Sequence, residues 1–195
     1  MTPPHPHHMP PPHPPGPKGR KQPKPVTRER LERIALFYLE RFSASGESVR
    51  QVLRRRVDRA AQIHETDREQ AEVWIGEVIE KLARAGFIDD SRYAEGKARS
   101  LFRKGNPPAL IRRTLASKGV GDDAIEAALS ETLEHSEDPD MEAAQAYCKR
   151  RKLGPYRTDP STREAQYRKD LGSLARRGFS SAVAHRILGL RDEWD

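Results

Sequence analysis

From Thr27 onward, apolar residues recur at the three-and-four spacing of helices, and no window alternates apolar and polar as a strand does. Leu31, Ile34, Ala35, Tyr38, Leu39 and Phe42 form one such face, with Thr27 as a plausible cap. Val49, Val52, Leu53, Val57 and Ala60 form the next, behind a cap expected at Ser48. Ala71, Trp74, Ile75, Val78, Ile79 and Leu82 follow, then Ala94, Ala98, Leu101 and Phe102. Asn106 before Pro107 reads as cap and first helical position of a helix that turns Ile111 and Leu115 inward. Ile125, Ala128 and Leu129 mark a helix after it, and Ala144, Tyr147 and Cys148 another, which Gly154-Pro155 ends. A helix from about Thr162 to Arg177 and a last one on Val183, Ala184, Ile187 and Leu188 complete the series.

These helices are joined by a repeated corner. Leu82-Ala-Arg-Ala-Gly-Phe-Ile-Asp-Asp90 returns as Leu115-Ala-Ser-Lys-Gly-Val-Gly-Asp-Asp123 and, more loosely, as Leu174-Ala-Arg-Arg-Gly-Phe-Ser-Ser-Ala182. Gly86, Gly119 and Gly178 sit where a helix stops in the left-handed conformation. Phe87, Val120 and Phe179 are placed to fold back on the last turn. Asp89, Asp122 and Ser180 are placed to cap the following helix. Three copies of a helix-corner-helix unit predict an all-α protein of stacked helical units. The expected boundaries are a Pro/His-rich disordered tail over 1–26, then repeats over 27–88, 89–137 and 138–195. The tail holds eleven of the sixteen prolines, which block helix and sheet alike.

Composition narrows the function. At 35% hydrophobic and 33% charged, the chain has a thin core under a dense charged surface, which suits small bundles in a row. The single cysteine, Cys148, excludes an intrachain disulfide framework and fits a reducing compartment. No apolar run approaches the length of a membrane span, and the N-terminus lacks the apolar core of a secretion signal. A cytoplasmic monomer with no membrane partner is expected. The net charge of +7 is distributed in alternating blocks, +7 over 91–118, −9 over 119–142 and +7 over 143–178. That pattern suits either an anionic partner or basic and acidic helices that pair with each other.

No phosphate loop, His-Glu-x-x-His, cysteine pair or nucleophile elbow is present, so neither enzyme chemistry nor a cofactor or metal is expected. Asp89-Asp90 and Asp122-Asp123 read as caps rather than metal ligands. The helix after Gly119 carries no base before Glu131, which argues against laying it in a phosphate-lined groove as a recognition helix. Any anionic partner is expected on the basic helices: Arg92, Arg99, Arg103 and Lys104 on one, Arg112 and Arg113 on the next, and Arg150, Arg151, Arg176 and Arg177 one unit on.

Ala35-Leu-Phe-Tyr-Leu-Glu-Arg41, Gly86-Phe-Ile-Asp-Asp-Ser-Arg-Tyr-Ala94, Ile111-x-x-x-Leu-x-x-Lys-Gly-Val120 and Leu174-Ala-Arg-Arg-Gly-Phe-Ser180 together resemble the RecX family. The likeness extends over about residues 27–190. It implies an all-α fold of tandem three-helix repeats forming an elongated, curved helical body, and a regulator, mainly an inhibitor, of the bacterial RecA recombinase. Such a body lies in the groove of the RecA–DNA filament, bridges protomers, and suppresses ATP hydrolysis, strand exchange or co-protease activity. The resemblance therefore implies roles in recombination, DNA repair and the SOS response. The tail and the loop Pro155-Tyr-Arg-Thr-Asp-Pro-Ser161 depart from the family pattern. The residues alone leave two alternatives open: direct binding to single- or double-stranded DNA without a recombinase, and a helical scaffold for another protein.

Overall fold

A computed structural model describes residues 23–189. Its nine α-helices are α1 (Arg28–Leu39), α2 (Gly46–Ala61), α3 (Arg68–Arg84), α4 (Asp90–Arg103), α5 (Pro108–Ala116), α6 (Asp122–Leu133), α7 (Pro139–Arg151), α8 (Arg163–Arg177) and α9 (Ser181–Leu188). Single-turn 3-10 segments at Gly154–Tyr156 and Pro160–Thr162 link α7 to α8. No strand occurs among the described residues, and the protein is all-α. The expected tail lies outside the described residues as far as position 22. Its final residues do contribute to the core, against expectation. Val26 packs on the first apolar cluster, and His64 Nε2 donates to the Pro23 carbonyl at 2.7 Å.

The three corners share one hydrogen-bonding scheme. Gly86, Gly119 and Gly178 have φ of +75°, +71° and +98°. The amide after each glycine reaches the carbonyl of Leu82, Leu115 or Leu174 at 2.9, 3.3 and 3.2 Å. The glycine amide itself reaches Ala83, Ala116 or Ala175 at 3.0, 2.9 and 2.9 Å. The repeated Leu-Ala pair thus supplies both a core side chain and the two carbonyls that close the helix end. Asp89 and Ser180 cap as expected, accepting from the Arg92 and Val183 amides at 2.9 and 3.3 Å. Asp122 does not cap. Gly121 takes that position without a side-chain bond, and Asp122 and Asp123 sit in the first turn, where negative charge suits the helix dipole.

Two more caps move. Ser45, not Ser48, caps α2, accepting from the Ser48 amide at 3.2 Å while donating to the Lys118 carbonyl at 2.6 Å. Asn106 turns back to donate through Nδ2 to the Leu101 carbonyl at 2.6 Å, so Pro107 becomes the cap and Pro108 the first helical residue.

The helices enclose two apolar clusters. Leu31, Val49, Leu53, Ile75, Val78 and Leu82 lead the first, built by α1 to α3. The second runs through α4 to α9, with Ile111, Leu115, Ile125, Tyr147, Leu174 and Phe179 among its members. Each fully buried aliphatic side chain adds on the order of 1.5–3 kcal/mol. Polar links join the clusters: the Ser45–Lys118 bond, and the Gly46 amide donating to Asp90 Oδ1 at 2.9 Å. Burial of Cys148 in the second cluster pushes its thiol up to about 11, leaving it protonated and inert at neutral pH.

The long link before α8 is anchored on Asp170, which is only 2% exposed. Its carboxylate accepts from the Gly154 amide at 2.8 Å and from Arg157 Nε and Nη2 at 3.0 and 2.6 Å. Asp170→Ala would strand a largely buried guanidinium and a buried amide. The expected cost is about 3 kcal/mol, read as a lower thermal midpoint. A melting curve identical to that of the parent protein would show that the link holds its shape without this carboxylate.

Candidate interaction surface

The basic residues are set outward by the same packing that buries the apolar faces. On α4, Tyr93, Ala94, Ala98 and Phe102 enter the core, which leaves Arg92, Arg99 and Arg103 exposed at helical spacing. Lys104 follows at the helix end and is also exposed. Burial of Ile111 and Leu115 does the same for Arg112 and Arg113 on α5.

The ten basic positions do not share one environment. Arg99 Nη1 pairs with Glu131 Oε1 of α6 at 2.9 Å. Arg112 grips Glu126 of α6 with two bonds, Nε to Oε1 at 2.7 Å and Nη2 to Oε2 at 2.8 Å. These bonds hold the Glu126 carboxyl below its ordinary value and raise the Arg112 guanidinium. Part of the charge alternation is therefore internal, with the acidic α6 facing α4 and α5. Exposed pairs of this kind are worth only ~0–1 kcal/mol, so they hold the side chains loosely. Arg92, Arg103, Lys104, Arg113, Arg151 and Arg176 have no carboxylate within ion-pair distance among the described residues.

Helices α7 and α8 bring two arginines to one ring. The guanidinium carbons of Arg150 and Arg177 lie 5.8 and 5.3 Å from the Tyr147 ring centroid. The Tyr147 hydroxyl shares a hydrogen bond with Ser173 Oγ at 3.0 Å. Gly105, directly after Lys104, is packed against the backbone of Tyr147, and Pro107 lies beside Gly178. The end of α4 therefore meets the middle of α7, and the start of α5 meets the end of α8. Arg103 and Lys104 are the last residue of α4 and its cap, directly before that contact. Arg92 stands apart, about 16 Å from Arg103 along the helix axis at 1.5 Å per residue.

Arg92 and Arg99 instead line a cleft of about 370 Å³ between α4 and the turns that follow α1 and α3, with Phe42, Phe87 and Gly96. Phe42 and Phe87 are 55% and 58% exposed, although the spacing places the first in the core and the corner folds the second inward. Phe87 is displaced by its neighbour. Ile88 takes the buried position at 7% exposure, whereas Val120 and Phe179 are followed by Gly121 and Ser180 and face no competitor. Two adjacent apolar residues after a glycine corner were the signal that one of them is left for the surface.

No described helix is long and apolar enough to cross a membrane. A family model described as RecX, second three-helix domain, matches residues 89–129. Regulatory protein RecX of Myxococcus xanthus (strain DK1622) is 36% identical over 171 residues, covering 88% of this chain and 90% of that protein. Regulatory protein RecX of Agrobacterium fabrum (strain C58) is 33% identical over 107 residues, or 54% of each chain. The crystal structure of RecX from Lactobacillus salivarius superposes with a TM-score of 0.52 at 24% identity, over 83% of this chain and 94% of that one. That degree of likeness establishes the shared fold.

Proposed function

The chain belongs to the RecX family of regulatory proteins, and on that premise we propose that it acts on the RecA recombinase, chiefly as an inhibitor. In this reading the three units, 27–88, 89–137 and 138–195, lie along the groove of the RecA–DNA filament in the cytoplasm and bridge neighbouring protomers. A monomer that contributes contacts rather than chemistry then restrains ATP hydrolysis, recombination and the SOS response.

The observation that supports this best is the pair Arg150 and Arg177 held on the ring of Tyr147, whose helix packs against the end of α4 where Arg103 and Lys104 lie. Cations without carboxylate partners, held on rigid helix ends from two successive units, suit a long acidic or anionic surface. Arg113, Arg151 and Arg176 extend the same provision. Arg99 and Arg112 reach it only by exchanging Glu131 and Glu126 for the partner's acids.

Binding to RecA filaments assembled on single-stranded DNA, compared with naked DNA at matched salt, tests the reading. Tighter binding to the filament is expected. Equal affinity for both would favour direct phosphate binding without a recombinase, with a steep salt dependence as its signature.

A further inference from the structure

Helices α1 and α2 carry a second basic surface, outside the ten basic positions of α4, α5, α7 and α8. Two adjoining hollows of about 270 and 400 Å³ lie along α1 and α2, and Lys24, Arg30, Ile34 and Arg56 line both. Arg33 and Phe37 extend one hollow and Arg59 the other. The pairing of charge across this unit is uneven. On the other side of the bundle the cations are matched: Arg54 with Glu72 at 2.8 Å, Arg68 with Asp58 at 2.9 Å, and Lys81 with Glu32 at 2.6 Å. Along the hollows, Lys24, Arg30, Arg33, Arg56 and Arg59 have no carboxylate within ion-pair distance among the described residues. Phe37 is 54% exposed between them, with the Arg41 guanidinium stacked 3.9 Å from its ring centroid.

A row of unmatched cations calls for a ligand with repeated negative charge. The exposed aromatic ring narrows the choice. An acidic protein surface would satisfy the charge but has no particular need of Phe37, and a duplex hides its base faces in the stack. A single strand offers phosphates at intervals together with bases free to lie on an aromatic ring, the combination by which unstructured strands are gripped without regard to sequence. From this juxtaposition of unpaired cations and an exposed ring, we infer that the α1–α2 groove is a binding site for single-stranded nucleic acid. The site is separate from the basic residues of α4, α5, α7 and α8 and does not depend on the filament reading.

Fluorescence anisotropy of a labelled oligothymidylate and of a duplex of equal length, with the full chain and no recombinase present, tests this site directly. Phe37→Ala is expected to weaken single-strand binding by ~5- to ~140-fold, the equivalent of one lost stacked base, and to leave duplex binding within twofold. Arg33→Ala with Arg56→Ala is expected to flatten the salt dependence of single-strand binding by ~1.4 in log–log slope, two phosphate contacts at ~0.7 each. All three side chains are exposed or unpaired, so melting curves should be unchanged. Unaltered single-strand affinity in both variants would overturn the assignment. So would an equal loss on duplex and single strand for Phe37→Ala, or displacement of the oligonucleotide by polyglutamate of matched charge as readily as by unlabelled oligothymidylate.

Discussion

Gly105→Ala is expected to cost about 4 kcal/mol or more, although it adds one methyl group. Gly105 ends α4 at φ +71°, with its amide bonded to the Phe102 carbonyl at 2.8 Å and the Asn106 amide to the Leu101 carbonyl at 3.2 Å. A Cβ there would stand 2.3 Å from the Tyr147 nitrogen, 2.6 Å from its Cα and 2.7 Å from the Ala143 carbonyl oxygen. All three are backbone atoms of α7, so no side chain can swing aside. The left-handed conformation adds its own strain for any residue with a Cβ. In a chain of this size the loss corresponds to a fall in midpoint of roughly 8–16 °C. Gly96→Ala is the internal control. Gly96 lies inside α4, and a Cβ there would meet nothing within 4 Å, so a gain of up to about 1 kcal/mol is expected from helix propensity. Equal melting temperatures for the two variants would mean that α4 and α7 are not packed this closely.

The second large effect concerns binding. Arg103→Glu combined with Arg113→Glu is expected to weaken filament binding ~100-fold or more, because charge reversal at an interface sets like charges against each other at a cost of several kcal/mol. Both side chains are exposed and have no carboxylate partner within the fold, so helix content and melting should hold. Arg99 is a less clean probe, because its reversal would also repel Glu131. Unchanged filament affinity in the double variant would make this surface a solvated face and return the proposed contacts to other parts of the molecule.

The helices were legible because their apolar residues are regularly spaced, and three corners because Leu-Ala-x-x-Gly specifies both the buried face and the carbonyls that the corner uses. The fourth corner, at Gly105, was hidden by the Asn106-Pro107 that follows, which reads as a helix start. Asn106 bonds backward instead, completing α4 before α5 begins. Ser45 was missed as a cap for a different reason. Its second partner, the Lys118 carbonyl, is 73 residues away, and local pattern carries no trace of it. The same limit applies to charge. Spacing along α4 offers Glu95 to Arg99, yet the partner is Glu131 across the bundle, and Arg112 likewise meets Glu126. Which cations remain unpaired is decided by tertiary packing, so the ten basic positions could not be ranked from spacing alone. Phe42 shows the converse: spacing placed it in the core, and the chain's turn after α1 left it outside beside Tyr38, ring centroids 5.1 Å apart.

ATP hydrolysis by RecA assembled on single-stranded DNA, followed while this protein is titrated in, reads inhibition of the recombinase itself. Hydrolysis is expected to fall as the protein is added, and the Arg103→Glu, Arg113→Glu variant to need far higher concentrations for the same effect. Hydrolysis that continues unchanged at saturating amounts of the folded parent protein would contradict that inhibition.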